Sequence, residues 1–450
     1  MAVWMHCLVA LFGSSSWLSV NSIWMELPIM VNQLPEGWSL PSYLAALVQL
    51  ASIGPLVYSI LHKCTNLTVS PAPLITALLA FDTICTLLLV FFWRSTGSLA
   101  GEQRSLGLFL IFFGMAFVNC TSNVLFLPYM AMFHHTYMTA YFIGMGLSAL
   151  VPSILALIQG AGHVTCVTVN TTNGSAVYPQ QMAARFSVEL FNGFMCVWMC
   201  LCVTAFVILH WSPQADRQRL PERQSKVKLE TEQQEENTER LLSSAANNET
   251  VVEAEPVQAE MRHHSVAFYI YLLVVVAWVC ALMNGVVPSI QSFAALPYGQ
   301  LTYHLSVTLS NMANPVACFV PFFVGLRSPA VIGLLTLVTS AVCGYIVSLA
   351  ALSPTPFLQE QLSGSALCVL ACICAVGLLA YIRTVAAGVL REGDENNQDH
   401  LCGCCCVFPG DGENRLFWCG VFTQIGSFLG AMVMFPLVNV YHVFKSANYC

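Results

Sequence analysis

The sequence predicts an all-α polytopic membrane protein with about eleven transmembrane helices in a six-plus-five transporter arrangement. Three observations predict it. Of 450 residues, 57% are hydrophobic and only 9% charged, whereas soluble domains carry about 25% charged residues. Apolar segments of about twenty residues, enough to cross a bilayer, recur along the chain. A single long polar stretch, 212–264, divides them.

The segments fall near 4–32, 41–61, 72–93, 105–130, 137–160, 188–211, 265–290, 301–325, 329–352, 365–390 and 416–437. Residues 212–264 are rich in Gln, Glu, Arg, Ser and Asn and lack sustained apolar periodicity. They read as a disordered cytoplasmic linker. It joins an N-terminal six-helix half, 1–211, to a C-terminal five-helix half, 265–450. No cleavable signal peptide is evident, because no Lys or Arg precedes a first segment long enough to span. The net charge of −7 comes partly from the linker and gives no sign of a nucleic-acid partner. Most of the twenty cysteines lie in apolar segments, where Cys acts as a small hydrophobe. Cys402, Cys404, Cys405 and Cys406 are spaced too tightly for a tetrahedral metal site and read as palmitoylation candidates.

Basic residues set the orientation. With the linker cytoplasmic, Lys63, Arg327, Arg391 and Arg415 are cytoplasmic too, while Arg94, Arg104, Arg185 and Lys445 fall outside. The N-terminus is then cytoplasmic and the C-terminus extracellular. The loop at 161–187 is external and carries glycosylation sequons at Asn170 and Asn173. The sequons at Asn66, Asn119 and Asn248 are expected to be unused. An internal repeat supports two parallel halves. Leu34-Pro35-Glu36-Gly37 follows the first segment and Leu296-Pro297-Tyr298-Gly299 the seventh. Upstream, Asn21 precedes Pro28, and Asn284 precedes Pro288. Parallel repeats place a substrate at their interface near the midplane.

The first segment holds the densest set of candidates. Trp17, Asn21 and Trp24 stand at i, i+4 and i+7, one face of a helix, with Glu26 nearby and Pro28 a turn further on. A carboxylate in a membrane segment is costly unless it faces water or a partner, so this face is expected to line a cavity. Two indoles and an amide suit a flat heteroaromatic ligand with a polar edge. The alternative is structural, with Asn tying helices and Trp anchoring at the interface. Further candidates are Asn119, Asn123 and Phe126 in the fourth segment and Asn284 and Gln291 in the seventh. The eighth adds Tyr303, His304, Asn311 and Asn314, and the last Thr423 and Gln424. Amides of this density favour a neutral ligand with several donors and acceptors. Asp82 and Glu26 are nearly all the intrahelical carboxylate, whereas ion pathways show chains of charged residues. No phosphate loop, zinc motif or nucleophile elbow is present, and no enzyme activity is expected. His134-His135 reads as interfacial, and His304 as either a titrating group or a hydrogen-bonded structural one. Gly426 and Gly430 read as a close helix contact.

The runs Ser16-Trp17, Val20-Asn21, Ile23-Trp24, Glu26-Leu27-Pro28 and Leu34-Pro35-Glu36-Gly37-Trp38 resemble the riboflavin transporters of solute carrier family 52. So do Ser122-Asn123-Val124, Asn284-Gly285-Val286, Gln291-Ser292-Phe293, Tyr303-His304-Leu305, Ala313-Asn314-Pro315 and Tyr441-His442-Val443-Phe444. The resemblance implies a plasma-membrane carrier that takes up riboflavin independently of sodium. Riboflavin would be the transported substrate, with no cofactor. It implies stacking of the isoalloxazine on Trp17, Trp24 or Phe126 and pairing of its pyrimidine-like edge with amides. A nucleoside or nucleobase carrier would use the same chemistry. A non-transporting receptor fits the repeated halves less well.

The topology is directly testable. Asn170→Gln with Asn173→Gln is expected to abolish any glycan-dependent gel shift. A shift that persists until Asn66 or Asn248 is changed means that the orientation is inverted.

Overall fold

The computed structural model describes residues 3–55, 71–99, 101–133, 136–160, 163–171, 174–182, 184–212, 266–324, 326, 328–392 and 412–446. The 212–264 linker (beyond Ser212), His134-His135, Cys402 to Cys406 and the sequon residues Asn66, Asn173 and Asn248 lie outside them. Eight helices among the described residues are long and apolar enough to cross a membrane, and a bent pair makes a ninth span.

That bent pair is the first segment. Helices α1 (Val3–Ser14) and α2 (Leu18–Met30) meet at 57°. The sequence puts the weak point at Pro28, but the break lies at three serines. The hydroxyls of Ser14, Ser15 and Ser16 donate to the carbonyls of Leu11, Phe12 and Gly13 at 2.8, 2.6 and 2.9 Å. Such back-bonding competes with the helical ladder and bends it.

The first group continues with α3 (Leu40–Ala51), α4 (Pro71–Phe92), α5 (Leu106–Ala131), α6 (Thr136–Gln159) and α7 (Val188–Trp211). The second begins with α8 (Val266–Ala281), a π-helical turn at Leu282–Val286 and α9 (Val287–Ala295). The π turn precedes Pro288, whose missing N–H and ring disturb a regular ladder. Then come α10 (Gln300–Phe319), α11 (Pro329–Ala351), α12 (Leu362–Glu392) and α13 (Gly412–Asn439). Two expected spans are too short or too polar, among the described residues, to cross a bilayer on their own. Helix α3 has 12 residues, and residues 56–70 after it lie outside the description. Helix α10 is long enough but too polar, carrying Gln300, Thr302, His304, Ser306, Thr308, Ser310, Asn311 and Asn314. A helix of that composition belongs inside a bundle, not against lipid.

Strands add to the expected all-helical picture. β1 (Gly97–Leu99) pairs with β2 (Glu102–Arg104), and the loop at 161–187 contains an antiparallel hairpin of β3 (His163–Thr171) and β4 (Gly174–Met182). Asn170 stands in β3, in register with Ser175.

The two groups pack alike. Helix α1 lies on α6, and α8 on α13. Gly13 meets the Tyr141 carbonyl and Gly144, while Gly426 and Gly430 meet the carbonyls of Ala277 and Ala281. A Cβ at these glycines would strike backbone, so the helices approach at their axes as small residues permit. The expected contact at Gly426 and Gly430 is therefore present. Between the groups, α3 packs on α9 and α13, and α6 on α10.

One end of the bundle is sealed by bonds between the groups. Asn32 Nδ2 donates to Gln300 Oε1 at 2.9 Å, and Gln300 Nε2 donates to the Pro28 carbonyl. Ser292 Oγ donates to the Trp38 carbonyl at 2.6 Å, and Asn439 Nδ2 to Ser42 Oγ at 2.7 Å. At the same end Glu36 caps α5. Its carboxylate accepts from Ser105 N–H at 2.8 Å and Ser105 Oγ at 2.6 Å, as suits the positive end of a helix.

Candidate functional site

Along α2 nearly every residue is buried, but Trp17, Asn21 and Trp24 are only half-buried. The three therefore share an open face, as their spacing predicts. Trp17 Nε1 donates to Oδ1 of Asn123 on α5 at 3.1 Å, and Asn123 is itself exposed. Asn21 Nδ2 donates to the Ser148 carbonyl on α6 at 3.2 Å. These bonds fix the amides and, among the described residues, leave Asn21 Oδ1 as a free acceptor and Asn123 Nδ2 as a free donor. Trp24 contributes an indole face to the same stripe.

Three expected site residues lie elsewhere. Glu26 is fully buried, about 200° around the helix from Trp24, and neither carboxyl oxygen has a hydrogen-bond partner. It faces Gln159 and Glu189 at the ends of α6 and α7, not the open face. Asn119 is also fully buried. It donates to Ser19 Oγ at 2.9 Å and to Asp82 Oδ2 at 3.2 Å, while Ser19 Oγ donates to the same carboxyl oxygen at 2.9 Å. This polar knot ties α2, α4 and α5. Phe126 is fully buried in an aromatic cluster, 4.7 Å from Phe12, which in turn meets Tyr129, Tyr141 and Phe206. It packs the first group and presents no face to the stripe.

In the second group Asn284 is half-buried, and its Nδ2 donates to Ser427 Oγ on α13 at 2.9 Å. This repeats the Asn21–Ser148 tie: the first helix of each group is bonded through an amide to the fifth. Gln291 is half-buried, with an Nε2 that is buried and unpartnered, and it lies near Cys372 of α12. Asn314 is half-buried, and its Oδ1 accepts from Cys318 Sγ at 3.8 Å. Tyr303 and His304 are buried, and His304 Nε2 lacks a partner. Asn311 joins α10 to α6, donating to Ser153 Oγ at 3.2 Å.

Several polar residues were not among the expected site. Ser306, Thr308 and Ser310 of α10 are buried with unpartnered hydroxyls. Their alternation with apolar residues was visible in the sequence, but serines and threonines in helices usually bond back to their own backbone, so composition alone did not mark them. Arg383 of α12 is half-buried and lies inside a span.

The family described as Solute carrier family 52, riboflavin transporter, matches residues 1–446. The chain belongs to this family. Its relatives include "Riboflavin transporter rft-1" of Caenorhabditis elegans, 42% identical over 99% of this chain and 98% of the relative. "Riboflavin transporter 2" of Salmo salar is 38% identical over 99% and 98%. "Solute carrier family 52, riboflavin transporter, member 3" of Homo sapiens is 33% identical over 100% and 99%. Among solved structures, a D-xylose–proton symporter aligns over 98% of this chain and 92% of its own, with a TM-score of 0.58 and 11% identity. That likeness concerns the fold alone. The chain is thus a multi-pass membrane transporter and not an enzyme.

The division between knot and stripe is testable. Asn119→Ala leaves the Asp82 carboxyl and Ser19 short of a partner, at about 1–3 kcal/mol. The variant is expected to melt at a lower temperature in detergent, with unchanged ligand affinity in the protein that remains folded. Lost affinity at unchanged melting temperature would place Asn119 in the binding site.

Proposed function

We propose that this protein carries riboflavin across the plasma membrane by alternating access, without sodium. The observation that supports this most is the open face of α2, where Trp17 and Trp24 flank an amide in a chain that belongs to a riboflavin transporter family. The isoalloxazine is a flat π-system, and indoles bind such faces by stacking. Its pyrimidine edge alternates carbonyl acceptors with an imide N–H donor. Asn123 Nδ2 and Asn21 Oδ1 are the free donor and acceptor that match it. Asn284, Gln291, Asn314 and the α10 hydroxyls supply partners for the ribityl chain. Tyr303 and His304 lie buried on the same helix, α10. Glu26, Asn119 and Phe126 support the bundle in this reading.

With the N-terminus cytoplasmic, the sealed end formed by Gln300, Trp38 and Asn439 is extracellular. On this reading the stripe opens inward, as in an inward-facing carrier. The same orientation puts the β3–β4 hairpin and its sequons outside. The two helix groups act as the rocking halves, joined by the cytoplasmic linker.

Equilibrium binding to purified protein tests the site. Stacking on an aromatic is worth about 1–3 kcal/mol by alanine substitution. Trp24→Ala is therefore expected to weaken riboflavin binding about 5- to 150-fold, while Trp24→Phe retains most of it. Asn21→Ala is expected to cost riboflavin more than analogues altered at the pyrimidine edge. Unchanged affinity in all three variants, measured per folded molecule, would mean that the stripe only packs helices.

A further inference from the structure

Arg383 is a basic side chain inside the transmembrane bundle that the stripe as described does not use. It lies within the α12 span, half-buried, and makes no hydrogen bond or ion pair among the described residues. Helix α12 packs against α8, α10 and α13, and the charge of Arg383 reaches Cys280 on α8 and Cys419 on α13, both buried. The guanidinium therefore points between helices and not toward lipid. An unpaired guanidinium inside a span costs at least about 2.5–3.5 kcal/mol unless it faces water or a ligand. A guanidinium so placed calls for water or a polar ligand beside it.

Two relations connect Arg383 with the stripe. The first is the repeat. Trp17 precedes Asn21 by four residues, and Cys280 precedes Asn284 by four. Asn21 ties its helix to the fifth helix of its group, and Asn284 does the same in the second. In the first group the residue four before the amide meets Asn123 on the fourth helix. In the second, the residue four before the amide, Cys280, is within reach of the charge of Arg383, again on the fourth helix. Arg383 thus stands on the helix that corresponds to the one carrying Asn123.

The second relation is depth. Gly13 packs on Gly144, and Gly146 faces Pro315 and Phe319. Between those two, Cys318 Sγ accepts from Thr384 Oγ1 at 3.5 Å, and Thr384 adjoins Arg383. These contacts set Arg383 at the level of the α1–α2 break, where Trp17 begins the stripe.

We propose that Arg383 is a recognition residue of the flavin site, donating from its planar fork to adjacent acceptor atoms on the pyrimidine edge of the isoalloxazine. This rests on the riboflavin reading. A guanidinium presents paired donors at fixed spacing, which a lysine ammonium does not. A neutral heterocycle with neighbouring carbonyl and ring-nitrogen acceptors satisfies it, displaces its water, and leaves the net charge of the site unchanged. Arg383 and Asn123 would then hold the ring edge from opposite groups, so that binding draws the two groups together.

The test uses the purified full-length protein and two ligands, riboflavin and lumiflavin, which has the same ring without the ribityl chain. Wild type, Arg383→Gln and Arg383→Lys are compared by equilibrium binding, normalised to folded protein. The Gln variant is expected to lose affinity for both ligands by a similar factor, about 10- to 150-fold. The Lys variant keeps the charge without the fork and is expected to lose part of that affinity, again for both. If the Gln variant does not fold, the Lys variant decides alone. Affinities within twofold of wild type overturn the proposal, as does a loss for riboflavin with none for lumiflavin. Failure of wild type to bind riboflavin would overturn the functional reading instead, and is seen before any variant is made.

Discussion

Hydrocarbon offers no hydrogen bonds, and this constraint sorts every polar side chain in the bundle. A polar group there must find a protein partner or face water. Asn119, Ser19 and Asp82 satisfy one another and tie three helices of the first group. Asn21 and Asn284 each spend one donor on a neighbouring helix, to Ser148 and Ser427. Others are left without a partner among the described residues: the free ends of Asn21 and Asn123, the guanidinium of Arg383, and buried atoms of Glu26, Gln291, His304, Thr308 and Ser310. On the proposed reading the half-buried ones among them meet the ligand. The helices can present these groups because glycines at α1–α6 and α8–α13 let backbones touch elsewhere.

The same constraint explains the seal at one end. The Pro28 carbonyl lies in the last turn of α2, where helical carbonyls lose their intrahelical partners. Gln300, from the other group, takes up that carbonyl and also accepts from Asn32. A carrier must break such bonds to open that side. Amide bonds suit the task, since each contributes only about 0.5–1.5 kcal/mol net and water replaces the partner once the end opens.

Much of this was legible in the sequence. Segment positions follow from hydropathy, and a regular helix puts Trp17, Asn21 and Trp24 on one face whatever surrounds it. The paired Leu-Pro motifs at Leu34 and Leu296 likewise foretell two groups built on one plan. Other features depend on contacts far apart in the chain. The partner of Asn119 is Asp82 on another helix, and Phe126 meets Phe12 and, through it, Phe206, so spacing within one segment could not separate them from true lining residues. Glu26 shows a different limit. Its chemistry marked it, but its angle around α2 turns it away from the stripe. The bend at Ser14–Ser16 arises from hydroxyls competing with backbone, a local effect that the nearby proline obscured. Arg383 was readable as a lone charge in an apolar run, yet its depth required the contact between α12 and α10.

Transport itself is the most direct test of the account. Purified protein in sealed liposomes, loaded with unlabelled riboflavin and placed in labelled riboflavin, should accumulate label by exchange. Excess external riboflavin should suppress the signal, nucleosides should not, and replacing sodium with choline should leave the initial rate unchanged. Label no higher than in protein-free liposomes, with the protein folded and inserted, would contradict the account.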